Sequence, residues 1–246
     1  MAEHAVAATR LQGLERFAGE VFANSQGVYA LDDYDYLDDT SLFSTAAFTV
    51  AGLGVAAGQA VDLFDTPVGT NGGQGFTAPR QLTYAETNLQ RGQAGGKFPQ
   101  NQAYAAIAGG FNIYQLPVDG AAAEVQTGGI PIANDADLAQ IVNSICWSWN
   151  VGGNQSPTLY YEPLVAWPCG FGIWGSGAAG TFQAGSNGGP SSLMRKFSFP
   201  LMFPPNTAAQ LTLTVRRPIT NLVSVANSSR ICVAMHLRGY MISKVR

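Results

Sequence analysis

From residue 42 onward the chain alternates apolar and polar positions with a period of two. The clearest run sets Leu211, Leu213 and Val215 against Thr212, Thr214 and Arg216. A second sets Ile231, Val233, Met235 and Leu237 against Cys232, Ala234, His236 and Arg238. Shorter runs bounded by Gly, Pro and Asn lie at 43–50, 60–64, 81–83, 104–114, 147–151, 159–161, 197–203 and 222–226. Eight to ten strands of this kind predict an all-β fold, a jelly-roll β-sandwich or barrel.

Two segments break the period. At 135–145 the apolar residues Leu138, Ile141, Val142 and Ile145 fall at i, i+3, i+4 and i+7, with Asn134 as N-cap and Asp137 in the first turn. This predicts one helix inserted in a strand connection, leading directly into the strand at Trp147. At 2–22, Val6, Leu14, Phe17 and Val21 fall near one face, with Arg10 and Arg16 among the polar positions. That pattern predicts an N-terminal helical arm, weakened by Gly13 and Gly19. Between arm and strands, residues 31–39 carry five aspartates among Leu31, Tyr34, Tyr36 and Leu37. The calcium-loop register and its closing Glu are missing, so this stretch is expected as a loop. The partition is an arm and acidic loop over 1–40 and a jelly-roll domain over 41–246. Within that domain, residues 170–189 hold eight glycines and no charge, the composition of a functional or disordered loop.

Charge changes the picture. The 13 basic and 16 acidic residues are only 12% of the 246-residue chain, where soluble domains carry about 25%. A monomer of this mass exposes roughly 10,500 Å², so its surface is dominated by small polar and apolar groups, which favours self-association. Residues 1–162 hold all 16 acids and five basic residues, net −11, whereas 163–246 hold eight basic residues and no acid. Three readings stay open: complementary faces between copies, a basic face toward lipid phosphate or nucleic acid, or neutralisation inside one fold. The charge-free run 41–61 is long enough to cross a bilayer, but its glycines, hydroxyls and alternation read better as a strand. The N-terminus shows no secretory leader pattern, so cytoplasmic synthesis is expected.

Catalytic chemistry is not legible. Cys146, Cys169 and Cys232 are odd in number and widely spaced, and only His4 and His236 are present, so neither a disulfide framework nor a zinc site is expected. Two GxGxxG matches within 170–180 are not followed by an amphipathic helix or by any acid, and residues 91–98 fail the P-loop pattern at Arg91 and Phe98. Ser176 has Trp174 and Ala178 where a nucleophile elbow needs glycines. No enzymatic activity and no cofactor or metal are expected. Binding chemistry is richer. Trp147, Trp149, Trp167 and Trp174 suit either a carbohydrate-stacking platform or core and interface anchors, with Trp167 and Trp174 the favoured interface aromatics. Arg10, Arg16, Arg195, Lys196, Arg216 and Arg217 are the candidate inter-subunit or anion contacts. The one internal Arg-Arg doublet is too small for a nucleic-acid groove, so no sequence-specific nucleic acid is expected.

The layout of 81–114 and 134–170 resembles the jelly-roll major capsid proteins of tailless icosahedral bacteriophages, including those with an internal membrane. The resemblance runs through Thr87, Asn88 and Leu89, then Phe98 and Pro99, then Phe111, Asn112 and Ile113. It continues with the helix at 135–145, Tyr161-Glu162-Pro163-Leu164, Pro168-Cys169-Gly170, the proline-rich 199–206, and the strands at 211–215 and 231–242. It covers roughly 42–242 and consists of spacing and turn chemistry. It implies an upright β-barrel, a structural virion protein that self-assembles into trimers or capsomers of an icosahedral shell; the length of 246 residues, between single- and double-barrel lengths, is read as one barrel with an inserted helix and long loops. The implied partners are further copies, other capsid proteins and internal membrane lipid. Two alternatives stand beside it: another phage structural part (decoration, spike-base or tail-associated) and a carbohydrate-binding sandwich module.

Overall fold

A computed structural model describes residues 36–84, 86–116, 130–151, 160–166, 173–176, 183–186 and 194–243. The expected arm at 2–22, with Arg10 and Arg16, lies outside them, as do Trp167 and Cys169. The strands in chain order are β1 (Tyr36–Thr49), β2 (Ala60–Leu63), β3 (Asn71–Gly73), β4 (Phe76–Gln81), β5 (Gln102–Leu116), β6 (Ile130–Pro131) and β7 (Ile145–Val151). They continue with β8 (Tyr160–Pro163), β9 (Ile173–Ser176), β10 (Gln183–Ser186), β11 (Arg195–Phe203), β12 (Ala209–Val215) and β13 (Arg230–Ser243). The helix α1 (Asp135–Ser144) precedes β7, and the Asn134 side chain caps it by accepting from the amides of Ala136 and Asp137.

The fold is all-β. One sheet has the order β1-β13-β5-β11, with β6 on β5; the other is β2-β12-β7-β8. All the strand pairs are antiparallel. Eight strands make the two sheets, leaving aside the two-residue β6. In chain order, the first pairs with the last (β1·β13), the second with the seventh (β2·β12), the third with the sixth (β5·β11) and the fourth with the fifth (β7·β8). One antiparallel ribbon, folded at its middle and wrapped, gives this pairing; the wrap adds β13·β5 and β12·β7.

The alternation read in the sequence is the packing. Ile231, Val233, Met235 and Leu237 face Leu211, Leu213 and Val215 across a core shared with Leu42, Phe48, Trp147 and Trp149. Phe203 is its hub, with ring centroids 4.8 Å from Trp149, 5.5 Å from Phe64 and Phe98, and 5.8 Å from Tyr104, all edge-to-face.

A bulge crosses the first sheet. Ala106 pairs with Gly239 and Ala108 with Arg238, leaving Ile107 without a partner residue on β13. On the other side, the four residues between Lys196 and Leu201 oppose that same single residue. The extra residue switches the inward phase of β5 from Tyr104 and Ala106 to Phe111 and Ile113. Gly239 is required there, because a Cβ would lie 1.9 Å from the Ala105 carbonyl oxygen.

Three expectations are corrected. Residues 36–39, read as acidic loop, are strand, because β13 runs far enough to pair Tyr36 with Ser243; the ladder overrides the low strand preference of aspartate. Residues 222–226 are not a strand. Leu222 and Val225 are buried, but they pin a turn rather than a ladder. The run at 81–83 belongs mostly to a turn, the strand lying earlier at Phe76–Gln81. No helix among the described residues is long and apolar enough to cross a membrane.

Candidate functional site

Strand directions place Thr49, Leu116, Arg195 and Arg230 of the first sheet and Ala60, Ile145, Pro163 and Val215 of the second at one end of the sandwich. Among the described residues there, hydrogen bonds join the connections 50–59 and 216–229 and the end of α1. The Val55 and Ile219 backbones exchange bonds of 2.9 and 3.0 Å, the Val215 amide donates to the Gln59 carbonyl (2.9 Å), and the Arg216 amide donates to the Ser144 carbonyl (2.7 Å). Helix α1 is tied in through Asp137. Its buried carboxylate accepts from the amides of Val223 (3.0 Å) and Ser224 (2.7 Å) and from the Ser224 hydroxyl (2.7 Å). Read in the sequence as a first-turn acid, Asp137 is 4% exposed and holds the 222–224 turn against the helix.

The expected contact residues divide. Arg216 and Arg217 are exposed at this end, as is Lys196 near the start of β11. Arg195, beside it, is half-buried in a two-pronged ion pair with Glu162, its second contact at 3.2 Å. The acid-rich and base-rich halves therefore meet within the chain at this point. Trp174 lies in β9 opposite Gly185, in the two-stranded ribbon that part of the glycine-rich stretch forms. Trp147 and Trp149 are core residues, 2% and 1% exposed, and belong to no surface platform.

A second site was not read from the sequence. The β3–β4 hairpin folds over the outer face of the first sheet. Its turn is fixed by Gly75, at φ +83°, where a Cβ would lie 1.9 Å from the Ala47 carbonyl oxygen; the Ala47 amide donates to the Gln74 carbonyl (2.9 Å). Beneath it, Phe76 and Leu82 pack on Ala47, Leu116 and Cys232. Buried charges surround them. Arg80 donates to Glu86 (2.7 Å), which also accepts from the Thr83 amide (2.8 Å) and hydroxyl (2.6 Å). Arg230 donates to the Gly75 carbonyl and to the Thr77 hydroxyl (2.8 Å). Phe76 lies between the two guanidiniums, 4.3 Å from Arg80 and 6.0 Å from Arg230. Burial pushes the Tyr114 hydroxyl well above its ordinary pKa, and the nearby Cys232 and Glu86 add to that. Only the position of Arg80, six residues before Glu86 in a turn-rich stretch, hints at this layer in sequence.

Further along the same face His236 stacks on Phe43, centroids 5.5 Å apart, and burial lowers its pKa to about 4. Among the described residues, no group of three or more His, Cys, Asp and Glu is arranged to hold a metal ion. Comparison of the chain with protein-family models, with curated proteins and with solved structures returns no match in any of the three.

Proposed function

We propose that this chain is a self-assembling structural subunit, a jelly-roll shell protein of a virion, working with further copies of itself and with other shell components. The observation that carries the reading is the pairing of strands one with eight, two with seven, three with six and four with five. A ribbon rolled on itself has this order, which supports a jelly-roll architecture, the one shared by capsid subunits, lectins and cupins. Two features favour the shell member of that set. Where a cupin holds its ligand between the sheets, this chain packs the rings of Trp149, Phe203, Tyr104 and Phe98 against one another. A lectin platform built on the tryptophans loses Trp147 and Trp149 to the core. A chain with 12% charged residues then has a surface suited to burial against other copies.

Sedimentation velocity and negative-stain imaging of the purified full chain test this. Trimers, capsomers or closed shells at micromolar concentration are expected. A chain that stays monomeric at high concentration removes the reading. Copy number in a particle separates shell from accessory protein: hundreds for the shell, dozens for a decoration or spike base.

A further inference from the structure

The connection 50–59 begins with a tight turn. Ala51 and Gly54 exchange backbone hydrogen bonds (2.9 and 3.3 Å), leaving Gly52 and Leu53 at the tip, both at φ +61°. A two-residue turn with both centres left-handed normally takes Asn and Gly. Leucine there is strained, since its Cβ crowds the following carbonyl. Nor does burial explain it, because the residue is 45% exposed. Neither local conformation nor the core of this copy calls for a leucine at position 53.

The neighbouring turn shows a second oddity. The Leu222 amide donates to the Leu53 carbonyl (3.0 Å), so the two turns touch. Val223, the next residue, is 75% exposed, more than any other large apolar residue described. It does not sit on a loose loop. Its own amide and both donors of Ser224 are held by the buried Asp137 carboxylate, while Leu222 and Val225 anchor the turn on either side. Rigid presentation of an apolar side chain to water lowers the ordering cost of a contact. Arg216 and Arg217 open the same connection and are exposed.

The surface that complements this tip is apolar and acidic. The chain contains one such segment, residues 31–39, in which Leu31, Tyr34, Tyr36 and Leu37 stand among five aspartates and which runs into the start of β1. It cannot reach the tip of its own copy. Tyr36 starts β1, whose 14 residues at about 3.3 Å each carry the chain about 45 Å before the turn at Gly52. The five residues 31–35 extend at most about 17 Å.

We propose that the Leu53–Val223 tip, with Arg216 and Arg217 beside it, docks on the acidic–aromatic segment 31–39 of a second copy. The contact is head-to-tail, joining opposite ends of neighbouring copies, and closes into a ring where the rotation between copies permits. The inference rests on the self-assembly reading and names one of its contacts.

The test is fluorescence anisotropy of a labelled synthetic peptide of residues 28–40, titrated with the full chain. Saturable binding is expected, at least tenfold weaker in Val223→Asp and in Arg216→Glu/Arg217→Glu, and weaker again at high salt. Near-UV circular dichroism verifies that these surface variants stay folded. Leu53→Gly separates strain from recognition: it keeps or raises the thermal midpoint while weakening binding several-fold. A peptide that fails to bind, or binds all variants equally, overturns the contact; so does a Leu53→Gly chain that melts earlier yet binds normally. If the wild-type chain forms particles while the peptide fails, the shell reading survives without this contact. Binding without particle formation keeps the contact and sinks the shell.

Discussion

The first sheet is buried along its inner face and, beneath the β3–β4 hairpin, on part of its outer face, and the two are buried by different physics. Between the sheets the contacts are dry: Trp149, Phe203, Tyr104, Phe98 and Phe64 meet edge to face, and alternating aliphatics fill the rest. On the outer face, beneath the β3–β4 hairpin, a small apolar set is interleaved with Arg80, Glu86, Arg230 and Tyr114. Apolar packing is nondirectional and rewards filled volume. The outer layer works only if each buried charge keeps its partner, so it selects one position for the hairpin. The inner layer sets how stable the sandwich is; the outer layer sets where the cover sits.

Trp149→Ala should have the largest effect. The side chain is 1% exposed and 4.8 Å from Phe203, so the loss should be about 3–5 kcal/mol. Urea denaturation followed by far-UV circular dichroism measures it. A loss below about 1 kcal/mol would mean that the inner layer is not the dominant core.

Glu86→Ala tests the other face and should cost about 3 kcal/mol, because it takes from a buried guanidinium its 2.7 Å carboxylate. The double variant Arg80→Met/Glu86→Leu should recover most of that loss, since well-packed apolar replacement of a buried pair is often near neutral. Melting curves of both, with hydrogen exchange at Ala47 and Gly75, separate global from local effects. If the double variant is as unstable as the single one, this layer behaves as a packing layer and the contrast between the faces collapses.

The inner layer was the legible one. Period-two alternation located β12 and β13 closely, and Asn134 with Leu138, Ile141 and Val142 located α1. The outer layer was hidden because its logic is not periodic. No periodic pattern singles out Arg80 or Arg230, and their burial depends on a hairpin whose position is fixed by Gly75 meeting Ala47. Leu222 and Val225 misled for a related reason, since apolar residues can anchor a turn as well as a strand. The bulge at Ile107 was visible only as a phase slip inside a run read as one strand, and it takes the ladder with Gly239 to interpret it. The proposed docking tip was legible in part. The Arg216-Arg217 doublet stood out, whereas Leu53 and Val223 became unusual only once φ and exposure were known.

The smallest expected effect concerns pH and again separates the faces, since the inner layer contains no histidine among the described residues. His236, on the outer face, has its pKa lowered by burial from 6.5 to about 4. Its neighbours there are Phe43, stacked on it from β1, and Arg238, two residues along β13; the facing residue of β5 is Gly110. Between these two pH values the unfolded chain binds a proton that the folded chain excludes, so stability falls as pH drops from about 6.5 to about 4 and this contribution then levels off. The ring is partly exposed, so the loss should be about 1–2 kcal/mol rather than the full value of the shift. His236→Phe keeps the stack on Phe43 and removes the titration. Thermal midpoints at pH 7.5, 6, 5 and 4 should then decline less steeply in the variant, and equal slopes would remove His236 as the source of the acid sensitivity.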